Sequence, residues 1–273
     1  MAEWSRRLFD VALFAYVAAM AASFAFLAFK RKPLATVSTV AGIGGLAANL
    51  ASIVTRGVSA GRTPWGNMYE YSSLLAALAV LVYLAAVESR ARIRTLGGFV
   101  YAFVVFTMAM AVSFFYVGPQ DLLPALNSYW RQIHVTSMIA ASSLLGIGCV
   151  ITVLFLAKAR SERGAGTGAL PAAASLDLMA YRFIAFGFAI WTFGVLCGAI
   201  WAQQAWGRYW GWDPKETWSF ITWVVFAGYL HARATSGWKG RRAAVVALVG
   251  AVCLLVTYYA VNLWISGLHS YAK

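Results

Sequence analysis

The sequence predicts an all-α integral membrane protein of about eight transmembrane helices, with both termini on the outer, periplasmic or extracytoplasmic side. Three observations predict it. Apolar residues make up 62% of the 273 and charged residues only 11%, against about 45–50% and about 25% in soluble domains. Apolar runs long enough to cross a bilayer, about 20 residues each, recur along the chain. The basic residues are bunched in alternate connections between those runs.

In chain order the runs lie near 8–29, 36–55, 69–87, 97–117, 133–157, 182–201, 216–235 and 243–265. The first follows Arg6 and Arg7 and ends in small residues, as a signal peptide does. Its apolar stretch continues to Phe29 and the triplet Lys30, Arg31, Lys32, which is too long for a signal core and reads as a helix. Residues 161–175, SERGAGTGALPAAAS, lack periodicity and read as a flexible cytoplasmic linker between a five-helix and a three-helix part. The connection from Gly118 to Ile133 has spaced apolar residues suited to lying along the membrane interface.

Charge sets the orientation. With the connection around residue 208 outside, 14 of the 22 basic residues are inside, in groups at 30–32, at Arg90, Arg92 and Arg94, at Lys158, Arg160, Arg163 and Arg182, and at Arg233, Lys239, Arg241 and Arg242. This obeys the positive-inside rule, although Arg6 and Arg7 oppose it. The net charge of +13 is thereby explained by topology, and nucleic acid is not expected as a partner. Cys149, Cys197 and Cys253 each stand singly inside an apolar run, with no C-x-x-C, and read as small buried residues.

One stretch is unlike the rest. Residues 201–223, WAQQAWGRYWGWDPKETWSFITW, hold six of the chain's twelve Trp residues, interleaved with Arg208, Asp213 and Lys215. Asp213, Pro214 and Glu216 form a helix start, with a capping side chain, proline at the first position and the carboxylate partner of a capping box. Positive dipole and free amides then sit beside an aromatic surface, a place for a flat apolar ligand bearing carboxylates. An interfacial aromatic belt is the alternative, but belts are spread over all helix ends, whereas these Trp residues are concentrated in one ordered segment.

The three histidines add metal chemistry. His134 opens the fifth run and His269 follows the eighth, both at the end that carries the Trp stretch, whereas His231 lies deep in the seventh. Histidine in or beside membrane helices is usually functional, and imidazole is a common axial ligand of haem iron. Hydrogen-bonded interfacial histidines are the bland alternative.

The order W-G-x-Y-W-x-W-D-P-K-E-T-W resembles the tryptophan-rich WWD domain of haem-handling proteins, in the version of the CcsA/ResC family of system II cytochrome c biogenesis. A second segment, Pro64 to Glu70, is similar to the family's P-x-x-N-x-Y-E, with Tyr71 where the family usually has Ser. The resemblance implies a single domain over 1–273, with residues 202–217 as the external haem-binding segment. Trp206, Arg208, Trp210, Trp212, Asp213, Lys215 and Trp218 are then expected around haem b (iron protoporphyrin IX). His134 and His269 match the family's external axial ligands and His231 its intramembrane histidine. It also implies presentation of haem at the outer face for attachment to apocytochrome c C-x-x-C-H motifs. A CcsB/ResB-type membrane subunit is the implied partner, and thiol-reducing thioredoxin-like proteins act indirectly. The implied location is the bacterial cytoplasmic membrane, or the thylakoid membrane for a plastid-encoded chain. A haem transporter without attachment activity and a b-type electron-transfer cytochrome stay open as alternatives.

Overall fold

A computed structural model describes residues 1–121, 127–163 and 169–269. Among them the regular elements are helical: α1 (Ala2–Phe29), α2 (Lys32–Ala60), α3 (Met68–Val82), α4 (Gly97–Phe114), α5 (Tyr129–Arg163), α6 (Ala173–Trp206), α7 (Pro214–Thr235), α8 (Arg241–Leu255) and the short α9 (Val261–Trp264). A π-helical segment, Tyr83–Arg90, extends α3, and another, Val256–Ala260, joins α8 to α9. Among the described residues seven helical segments are long and apolar enough to cross a membrane, and α7 is not one of them. Its 22 residues have the length, but Lys215, Glu216, His231 and Arg233 lower its apolar content.

The helices outrun the apolar runs that announce them. α1 starts at Ala2 and α5 continues through Arg163, so Lys158 and Arg160 are helical rather than in a connection, and Arg182 lies inside α6. Hydropathy marks only the bilayer-depth part of a helix, whereas backbone hydrogen bonding continues past it. Of the expected linker, residues 164–168 lie outside the described residues, as do 122–126 of the expected interfacial piece.

The chain forms two compact units. The first comprises Met1–Asp121 with Ala169–Pro171; the boundary thus falls before α5, where the sequence suggested a break after it. In this unit α1 packs along α2 and α4, and α3 packs against α4. Phe9, Ala12, Tyr16 and Ala19 recur at helical spacing as the buried face of α1. Side-chain hydroxyls replace the hydrophobic drive that lipid cannot supply between helices. Ser5 and Ser52 each donate to the other's carbonyl, at 3.1 and 2.7 Å, and Ser73 donates to Asn49 at 2.7 Å.

The segment before α3 is tied down by charge. Asn67 caps the helix by accepting from the Glu70 amide at 2.9 Å, and Glu70 reaches back to the Gly66 amide at 2.7 Å. The same carboxylate accepts from Arg56 Nε at 2.9 Å and from Arg62 Nη1 at 2.8 Å, and Arg56 also donates to the carbonyls of Val117 and Gly118. Tyr71 follows on the half-buried side.

The second unit holds α5 to α9. α5 and α6 pack over their length, and α8 contacts both α5 and α7. α7 is fastened to α6 by bonds from Trp223 Nε1 to Thr192 at 2.9 Å and from Trp191 Nε1 to the Ser219 carbonyl at 3.3 Å. Arg233 closes the far end with a two-pronged bond to Asp177, 2.9 Å on each arm. The start of α5, the end of α6, the start of α7 and the segment after α9 meet at the opposite end. Cys149, Cys197 and Cys253 are free and buried.

Candidate haem-handling site

α6 ends because Gly207 takes a left-handed backbone, φ 72°, which a side chain disfavours. Six residues later the chain re-enters a helix at Asp213, whose side chain accepts from the Lys215 amide at 3.1 Å. Glu216 answers by accepting from the Asp213 amide at 3.0 Å and from Gly211 at 2.8 Å, so the expected capping box is formed and extended by one further amide. In the short connection between, Tyr209 and Trp212 are 62% and 66% exposed, and Trp212 itself is left-handed at φ 59°. A bulky residue held there by its neighbours displays its ring outward. Trp210 packs edge-on to Trp212 at 5.7 Å, and both lie against Phe220 of α7. Trp218 is half-buried on the first turn of α7.

Behind this surface the two histidines come together. His134, on the first turns of α5, stacks on Trp201 with ring centres 6.0 Å apart, and His269 meets the same ring edge-on at 5.9 Å. Trp206 packs on both Trp201 and His269, at 5.0 and 4.9 Å. The two imidazoles therefore contact one indole, with their ring centres within about 12 Å of each other.

Each imidazole is oriented through Nδ1. His134 Nδ1 lies 2.7 Å from the Gly194 carbonyl oxygen, and a carbonyl can only accept, so Nδ1 carries the proton and Nε2 the lone pair. His134 fits there because Gly198 has no Cβ; one would stand 2.6 Å from Nδ1. His269 Nδ1 lies 2.8 Å from Asp213 Oδ1, which fixes the same tautomer. Asp213 Oδ2 accepts from the Leu268 amide at 2.6 Å, securing the backbone beside the ring. In both imidazoles Nε2 is then the nitrogen bearing the lone pair, the donor that could coordinate iron. That is the donor chemistry a haem needs, and the flat aromatic surroundings fit its macrocycle.

Electrostatics favour the neutral ligand. Burial pushes His269 below the usual imidazole range, although Asp213 pulls the other way. Burial alone would raise the Asp213 carboxyl, but the bonds from His269, Leu268 and Lys215 outweigh it and hold the group below the usual carboxylate range. Lys215 borders a depression shared with Asp213, Pro214, Asn262, Gly267 and His269. Arg208 lies 3.7 Å from Glu216 Oε2, with Nη1 buried and without a hydrogen-bond partner. Its guanidinium crosses Gly211, where a Cβ would fall 0.8 Å from Nη1.

His231 stands apart. It is exposed on α7, 17 residues beyond Pro214, about 25 Å along the helix axis. Sequence reasoning missed three contributors. Trp201 belongs to the recognised stretch, but its contact with both histidines depends on tertiary packing. Gly194 and Gly198 show the small-x-x-x-small spacing of close helix contacts, a usable signal. The bond from Asp213 to His269 joins residues 56 apart and has no sequence signature.

Residues 65–269 match the family described as Cytochrome C assembly protein. The chain is similar to cytochrome c biogenesis protein CcsA of Chlamydomonas reinhardtii, 37% identical over 88% of this chain and 69% of that one. The CcsA proteins of Gloeobacter violaceus and Porphyra purpurea are 35% and 34% identical, covering 89% and 93% of this chain and 89% and 92% of theirs. Among solved structures the fold resembles that of the cytochrome c haem lyase CcmF, with a TM-score of 0.75 and 16% identity over 94% of this chain. The match spans 46% of that larger protein. With the family match covering most of its length and CcsA relatives aligned nearly end to end, the chain belongs to the cytochrome c assembly protein family.

Proposed function

We propose that this chain handles haem b in cytochrome c maturation by the system II route. It presents haem at the outer membrane face for covalent attachment to apocytochrome c C-x-x-C-H motifs, together with a CcsB/ResB-type subunit. The observation that carries this reading is the pair of imidazoles, His134 and His269, each oriented by a hydrogen bond at Nδ1 and each in contact with the Trp201 ring. The Trp206, Trp210, Trp212 and Trp218 surface packs on the macrocycle, and Arg208 and Lys215 pair with propionates. With haem bound, His134 and His269 would hold its iron until the apocytochrome histidine replaces one of them, and the haem would supply the vinyl groups that the substrate thiols join as thioethers. The three buried cysteines take no part, and thioredoxin-like proteins act upstream by keeping the substrate thiols reduced.

In this reading α7 is the eighth span, both termini face outward and residues 202–217 form the external segment of one functional domain. The location is the bacterial cytoplasmic membrane, or the thylakoid membrane in plastids. His231, exposed on α7, ligates haem at an entry site whose second ligand comes from a transmembrane helix of the partner. The test is cytochrome c maturation with His134→Gly and His269→Gly chains. Each single replacement abolishes covalent haem attachment and added imidazole partly restores it; full maturation by the double variant without imidazole sinks the proposal. Assaying covalent attachment with the purified complex separates this role from haem transport alone. His231→Ala lowers the haem content of the complex, and an unchanged content and spectrum removes the entry site.

A further inference from the structure

The two imidazoles are held by chemically different partners. His134 donates to one neutral carbonyl, that of Gly194, at 2.7 Å. His269 donates to a carboxylate at 2.8 Å, on a side chain only 3% exposed. Hydrogen bonds to an ionised group are roughly twice as strong as neutral ones, and a carboxylate behind a ligating histidine raises its basicity and fixes its orientation. The backbone is secured as well: the other Asp213 oxygen takes the Leu268 amide at 2.6 Å, and Asp213 is itself fixed at the start of α7.

Resting on the bis-histidine reading above, we infer that Asp213 is a positioning residue that makes the two ligands unequal, so that His269 stays on the haem iron and His134 is the ligand exchanged. With haem bound, the Asp213 carboxylate would make His269 the stronger donor, and His134, held by a neutral carbonyl, the ligand more readily exchanged. The exchange would be a ligand substitution without change of oxidation state, in which an incoming apocytochrome imidazole takes the place of His134 and His134 keeps its Nδ1 proton on the Gly194 carbonyl. Capping and positioning both use Asp213 Oδ1, and they are told apart by a side chain that still caps the Lys215 amide but is too short to reach the His269 ring.

The test uses the full-length, haem-loaded protein reduced under carbon monoxide. Carbon monoxide takes the place of the weaker ligand, and photolysis leaves a transient five-coordinate iron whose iron–histidine stretching frequency, read by resonance Raman, reports the retained histidine. Asp213→Asn keeps a cap and a neutral acceptor; Asp213→Ser keeps a cap but is too short to reach His269. The expected result is a high stretching frequency in the wild type and in His134→Gly, with a lower one in Asp213→Asn and in His269→Gly. Asp213→Ser should also hold haem roughly 10–100-fold more weakly. An Asp213→Asn frequency equal to the wild type, with haem bound, overturns the inference and leaves the bis-histidine reading standing. A six-coordinate spectrum unaltered in both His134→Gly and His269→Gly overturns both.

Discussion

The most sensitive single atom at the site is one that is missing. A methyl on residue 198 would stand 2.6 Å from His134 Nδ1, so Gly198→Ala must push the imidazole off the Gly194 carbonyl. We expect Gly198→Ala to lose most low-spin bis-histidine haem absorbance while the protein remains folded and extractable, with added imidazole restoring part of it; an unchanged spectrum contradicts the assigned geometry. Acid should act through His269. Because burial lowers its proton affinity in the folded chain, the unfolded state binds the extra proton. Its contribution to stability is complete above the usual imidazole value of about 6.5 and falls as pH drops below that value. Asp213, held below its usual range, loses its contribution only at pH lower still. Thermal unfolding of the haem-free chain in detergent should therefore show stability flat from about pH 8 to 6.5 and declining below, and a decline beginning at pH 7 or higher would contradict it. At this scale the sequence disclosed residue types well. His134, His269 and Asp213 stood out from spacing and resemblance, but their mutual bonds did not, because a contact across 56 residues is created by the packing of α6 to α9.

Elements were more legible than contacts. The predicted helix start at Asp213 formed, with Glu216 reaching back as the D-P-x-E spacing required, and Asn67 and Glu70 make a second cap of the same kind. The sequence did not disclose that Glu70 is buried between two arginines, with Arg56, Arg62 and Glu70 side chains 4%, 12% and 1% exposed. Removing one partner leaves charge stranded away from water, which typically costs about 3–5 kcal/mol. Glu70→Ala should therefore lower the thermal unfolding temperature in detergent markedly. Arg62→Ala should cost less, because Arg56 remains paired with the carboxylate. Equal stability of Glu70→Ala and the wild type would show that the cluster contributes nothing. Helix ends were the least legible feature. α5 carries its charged residues to Arg163 inside the helix, where polarity suggested a connection.

For the whole molecule, the apolar composition and recurrent long runs already required a multi-span helical membrane protein, and the seven long apolar helices agree with that. Sidedness rests on the distribution of Lys and Arg, and it can be read chemically. The native cysteines are all buried, so an introduced thiol gives a clean signal. Tyr209→Cys, at a position 62% exposed, should react with a membrane-impermeant maleimide in intact cells, and Arg92→Cys only after lysis. The reverse pattern would invert the topology. The division into two units at residue 121 was not readable from hydropathy, since α4 and α5 are both apolar and only packing separates them.

Asp213 joins three things that proteins usually keep apart: a helix beginning, a backbone amide 55 residues away, and an imidazole. Because they share one carboxylate, a swing of that side chain breaks all three at once. Where the segment around Leu268 opens by such a swing, the Lys215 amide is exposed in the same event, and the two amides should exchange with deuterium as a single cooperative group. In the proposed reading, drawing residues 267–269 away from the outer site would then also loosen the first turn of α7, so release there would be recorded in a helix backbone.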